Sequence, residues 1–85
     1  MHKKATYNLA VGMALRELQQ ERHVDREKLA TALETSDLDI TRIENGDERM
    51  TAGELILMLT TFELSWEDFM QRVQKNLPDA EAKIR

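Results

Sequence analysis

Tyr7, Val11, Leu15 and Leu18 recur at steps of four, four and three, the spacing that lines side chains along one face of an α-helix. Arg16, Glu17, Gln20 and Glu21 fall on the other side, and the pattern stops near Arg22-His23. Asp25 is placed to cap a second, short helix that turns Leu29, Ala30 and Leu33 inward. Glu34-Thr35 makes a tight break, and Ser36 offers the next cap. The third helix buries Ile40 and Ile43 and ends at Asn45-Gly46, where glycine accepts the left-handed conformation of a helix terminus. Thr51 and Glu54 have the spacing of a capping box, opening a fourth helix that runs to about Phe62. Ser65 and Asp68 suggest a cap for a fifth, with Trp66, Phe69, Met70 and Val73 on its apolar side and Asn76-Leu77-Pro78 closing it. No segment alternates with period two, so the expectation is an all-α domain of five helices over residues 1–78. Residues 79–85 are expected to form a frayed, charged tail.

A chain of 85 residues has room for one core. Charged residues make up 33% and hydrophobic ones 41%, a globular mixture rather than a disordered one. With no cysteine, disulfides, thiolate metal sites and cysteine nucleophiles are excluded. The longest apolar run, Leu55 to Leu59, is far too short to cross a bilayer, and Met1-His2-Lys3-Lys4 leads into no apolar signal segment. A soluble, cytoplasmic protein is the expectation. His2 and His23 are too few and too far apart for a metal site, and His23 suits an exposed helix end. The carboxylates form no acid/base constellation and the glycines at 12, 46 and 53 no phosphate cradle, so neither enzyme activity nor a cofactor is expected.

Two short helices joined by a tight turn, the second ending Arg42-Ile43-Glu44-Asn45-Gly46, resemble the helix-turn-helix of the lambda-repressor-like (XRE/Cro-type) family. The stretch Leu29 to Ser36 followed by Ile40 to Gly46 carries the likeness. It extends upstream to Leu15-Arg16-Glu17-Leu18 and downstream through Thr51 to Leu64-Ser65-Trp66-Glu67-Asp68-Phe69, covering roughly residues 10–70 without a gap. The resemblance implies a compact five-helix domain that regulates transcription as a homodimer on double-stranded DNA, its third helix in the major groove. By position it implies that Asp37, Leu38, Thr41 and Arg42 face base edges. It places Arg26, Asn45 and the loop Asp47-Glu48-Arg49 near phosphates, where Lys28 would add a further contact.

The charge distribution departs from that family. Between Val24 and Arg49 stand eight acids (Asp25, Glu27, Glu34, Asp37, Asp39, Glu44, Asp47, Glu48) and four bases (Arg26, Lys28, Arg42, Arg49). That segment thus holds the whole net charge of −4, while phosphate binding depends on lysine and arginine. A single aspartate can accept from the cytosine amino group, and acids at a helix start favour its dipole. Asp37, Asp39, Asp47 and Glu48 together admit a second reading, an acidic face that docks a basic protein. Such a module would serve as an anti-activator, anti-repressor or antitoxin-like partner.

Two positions inside the fold also differ. Relatives often have arginine where Gln19 stands, pairing with the glutamate here at Glu44. Glu44 is then left to Gln19 as a neutral donor, to Arg16 or Arg22, or to partial solvation. Glu34 replaces a common turn glycine, at a cost of roughly 1 kcal/mol if its φ is positive. On the fourth helix Leu57 is expected to be exposed, either as a lone surface leucine or, with Trp66 and Met70, as a partner or self-association surface. Met50, Met58 and Met70 suit gap filling in the core.

Overall fold

In the computed structural model, which describes residues 3–84, helices follow one another from Lys3 to Ile84: α1 (Lys3–Arg22), α2 (Arg26–Ala32), α3 (Asp37–Glu44), α4 (Ala52–Phe62) and α5 (Trp66–Ile84). Each helix after the first opens on a side-chain cap. The Asp25 carboxylate accepts from the Lys28 amide at 2.8 Å and Ser36 Oγ from the Asp39 amide at 3.1 Å. Thr51 Oγ1 accepts from the Glu54 amide at 3.1 Å while Glu54 Oε1 accepts from the Thr51 amide at 2.8 Å, completing a capping box. Ser65 Oγ accepts from the Asp68 amide at 3.1 Å. Such caps contribute about 1 kcal/mol each.

The other ends of the first four helices share one closure. An amide reaches back five residues in each: Val24 to the Gln19 carbonyl, Thr35 to Ala30, Asp47 to Arg42 and Leu64 to Leu59, at 2.8–2.9 Å. This pattern needs a left-handed residue just before the donor, and His23, Glu34, Gly46 and Glu63 supply it with φ of 56°, 57°, 78° and 53°. Only Gly46 adopts this conformation without a side-chain penalty.

The core is built on α1, which packs along α5 and across α3, while α2 lies against α3 and α4. Ala10, Ala14, Leu15 and Leu18 of α1 meet Leu29 and Leu33, Ile40 and Ile43, Met58 and Phe62, and Phe69, Val73 and Ala80. Gly12 sets the approach of α1 to the end of α3. A Cβ there would lie 2.1 Å from the Ile43 carbonyl oxygen and 2.6 Å from that of Glu44. Met58 is buried, and Met50 and Met70 pack half-buried against the core.

Three sequence expectations are corrected. Tyr7 is 50% exposed rather than buried, because α1 starts before the layer that covers it, leaving Lys3, Lys4 and Ala5 exposed as well. On α4 it is Ile56, 63% exposed, and not Leu57 that faces outward. Leu57 is half-buried against the core, so the covered arc of α4 extends beyond the Met58–Phe62 face and leaves Ile56 outside it. The helix does not close at Pro78 but runs to Ile84, so residues 79–84 are its last turns rather than a frayed tail. A proline within a helix removes one hydrogen bond and crowds the carbonyl four residues back, at about 3 kcal/mol. Full burial of Ala80 and packing of Leu77 on the core oppose that cost. Among the described residues, no helix is long and apolar enough to cross a membrane.

Candidate nucleic-acid interface

Four residues, Leu33 to Ser36, separate α2 from α3 and form the turn of a helix-turn-helix. The two caps hold it, and the Thr35 hydroxyl donates to the Asp39 carboxylate across it. Ile40, Ile43 and Glu44 point α3 into the molecule. At roughly 100° per residue, Asp37, Leu38, Thr41, Arg42 and Asn45 then fall within about 140° on the opposite side. Asp37, Leu38, Arg42 and Asn45 are exposed, and Thr41 is half-buried with its hydroxyl donating to the Asp37 carbonyl at 3.1 Å. Lys28 in the first turn of α2 and Arg49 in the α3–α4 loop are exposed.

Behind this stripe lies a polar network. Glu44, whose side chain is 4% exposed, accepts from Gln19 Nε2 at 2.6 Å and from an Arg26 guanidinium nitrogen at 2.8 Å. Gln19 is thus the neutral donor, but the charge comes from α2 rather than from Arg16 or Arg22. Arg22 instead donates to the Phe62 carbonyl at 2.8 Å, satisfying the end of α4. Removing a carboxylate from water is costly unless it is paired and hydrogen-bonded, and two donors on separate oxygens meet both needs. Arg26 therefore has an internal task, although its side chain remains 44% exposed.

The four acids singled out from the sequence do not act as one. Asp39 is half-buried and turned to Thr35, away from the outward stripe. Glu48 lies 3.9 Å from Arg42, an exposed pair of the kind that contributes little. Asp37 and Asp47 stand exposed. Of the residues considered for a partner surface, Trp66, 50% exposed, and Met70 line a shallow cleft of about 210 Å³ with Val11, Met50, Leu55 and Phe69. Leu57 lies outside it. Among the described residues, no group of three or more metal-ligating side chains could hold an ion, and His2 lies outside them.

Sequence reasoning missed two arrangements. Arg26 reaches Glu44 across 18 positions, and nothing local signals that contact. On the far side, Arg72 of α5 clamps two carboxylates of α1, Glu21 at 2.6 and 2.9 Å and Glu17 at 3.5 Å. The buried Asn76 amide adds a bond to Glu17 at 3.1 Å. The hydrogen bond from Arg72 holds the Glu21 carboxyl below its ordinary value, and the same bond raises Arg72. The one available signal was the i, i+4 spacing of Glu17 and Glu21, two like charges that call for a cation between them.

Comparison with solved structures finds the same fold elsewhere. A crystal structure of the clp gene regulator ClgR from Corynebacterium glutamicum superposes with a TM-score of 0.80 at 21% identity, covering 91% of this chain and 82% of that one. A second crystal structure of ClgR from C. glutamicum gives 0.77 at 21% identity, covering 84% and 91%. The chain shares their helical helix-turn-helix fold. No protein-family model matches the sequence, and comparison with curated proteins finds no match. At this identity the likeness is one of fold, and fold alone does not fix function.

Proposed function

We propose that the protein is a small transcription regulator that binds operator DNA through α3, as a homodimer of the lambda-repressor-like (XRE/Cro) type. The observation that carries this reading is the single outward stripe of α3, Asp37, Leu38, Thr41, Arg42 and Asn45, presented beyond a capped turn and opposite a fully packed face. The fold likeness to ClgR, described as a gene regulator, supports it. Arg42 is the base reader, donating to guanine O6 and N7, and Lys28 and Arg49 hold phosphates. Arg26 takes part through the exposed portion of its guanidinium while Glu44 fixes its orientation. Internal use of Asp39 and Glu44 removes two of the segment's acids from the groove. Trp66 and Met70 are the residues we assign to the dimer contact, with Leu57 in a lesser role because it lies outside the cleft they line.

The test is a titration of the protein and two variants against specific and random duplexes over a range of salt. Arg42→Ala is expected to erase the preference for the specific duplex. Arg49→Ala is expected to weaken both alike and to reduce the salt slope by about one. Sequence preference retained without Arg42 contradicts the assignment.

One observation favours a second reading, in which the same face docks a basic protein. Arg26 is committed to Glu44 and Arg42 has Glu48 beside it, so the cations of the face are partly neutralised while Asp37 and Asp47 stand exposed. Charge reversal at Asp37 and Asp47 would then abolish the protein complex. An unaffected complex removes this alternative.

A further inference from the structure

Leu38 is the only aliphatic residue in the outward stripe of α3, and it lies near the middle of that arc, flanked by Asp37, Thr41 and Arg42. It occupies the first turn, two residues after the Ser36 cap, and 56% of its surface is open to solvent. The core face of α3 is filled by Ile40 and Ile43, and Leu38 is not among the residues packed on the core. In the major groove, base edges offer polar groups at nearly every position, and the thymine 5-methyl is the apolar exception. An aliphatic side chain among polar readers has that methyl as its one complementary partner. Its neighbours narrow the context: the exposed Asp37 carboxylate can only accept, which matches the cytosine amino group, and Arg42 can only donate, which matches guanine.

We propose that Leu38 is a specificity-determining residue that reads a thymine 5-methyl group in each operator half-site, an inference that rests on the DNA-binding reading above. Discrimination at that position is apolar and independent of the phosphate contacts. It therefore persists at salt concentrations that weaken overall binding.

The experiment begins with selection of bound duplexes from a random library by the full chain. Each thymine of the selected half-site is then replaced in turn by deoxyuridine, which removes the methyl and leaves the pairing edge intact. One position per half-site is expected to lose affinity by about fourfold, the change that follows from burying one methyl-sized group. With Leu38→Ala the same replacement is expected to have no effect. The substitution is at an exposed position, and the deoxyuridine series leaves the protein untouched, so folding does not confound the result. A selected site at which no deoxyuridine weakens binding overturns the Leu38 assignment alone. So does a deoxyuridine loss that persists in Leu38→Ala. Failure to select any duplex overturns the DNA-binding reading, and this inference with it.

Discussion

Arg26, in the first turn of α2, donates to Glu44 Oε1, in the last turn of α3, at 2.8 Å. The bond joins the two helices of the helix-turn-helix at a point remote from their connecting turn. With Gln19 of α1 on the other oxygen, one buried carboxylate gathers three helices. The angle at which α3 is presented is therefore fixed by hydrogen bonds as well as by apolar packing.

If Arg26 holds that carboxylate, Arg26→Ala lowers folding stability by about 1–3 kcal/mol, the cost of leaving a buried polar group short of a partner. Urea denaturation of a double-mutant cycle checks it. In a Glu44→Gln background the same substitution should cost much less, because no buried charge remains to be paired. Equal costs in both backgrounds would show that the contact contributes nothing.

Gly12→Ala should be among the most destabilising single-methyl changes in the chain. The added Cβ meets backbone carbonyls of Ile43 and Glu44, which cannot rotate away as a side chain can. Overpacking of this kind costs about 1–3 kcal/mol, and relief requires that α1 and α3 move apart. Denaturation midpoints check the stability. On the proposed DNA-binding function, a loss of binding greater than the unfolded fraction explains would report displacement of α3.

The last turns of α5 give opposite results under two changes. Deleting residues 79–85 removes the fully buried Ala80 and is expected to lower the melting temperature, whereas loss of a frayed tail would leave it unchanged. Pro78→Ala restores a helical amide at an exposed position and is expected to raise stability by about 1–3 kcal/mol. A destabilised Pro78→Ala variant would mean that the ring itself packs.

The Arg72–Glu21 clamp sets a pH dependence whose direction is fixed. Glu21 is held below its ordinary value of 4.5, so its folded form binds a proton less readily than its unfolded form. Its stabilising contribution is present above 4.5 and is lost as pH falls through the depressed folded value. Melting curves of the protein and of Glu21→Gln should differ at neutral pH and converge in acid. The difference is small because the pair is solvent-screened, and a gap that does not change with pH would contradict the clamp.

Much of this fold was legible because its signals are local. Asp25, Ser36, Thr51 and Ser65 cap the helices they were expected to cap, and Asn45-Gly46 ends α3. The errors arose where tertiary context outweighed pattern. Pro78 reads as a terminator in sequence, yet burial of Ala80 carries the helix past it. Tyr7 shares a helical face with Leu18, but the covering layer does not extend to it. The outward placement of Asp37, Leu38, Thr41 and Arg42 was legible only as what the family resemblance implies, and these residues do lie opposite Ile40 and Ile43. The neutralising roles around them were not legible, since Arg26 to Glu44 is a contact between helices. Thr35 to Asp39 spans only four residues, but the sequence does not say whether Asp39 turns toward the turn or toward solvent.

The most direct test of the central claim is capture of fragmented source-genome DNA on the purified, folded protein at about 50 mM salt, followed by sequencing. Low salt favours phosphate contacts most, so an acidic face has its best chance to bind there. Operator recognition by a homodimer predicts enrichment of a palindromic site whose half-sites lie about one helical turn apart. No enrichment from folded protein would contradict it, and the exposed carboxylates of α3 and its following loop would then belong to a protein partner.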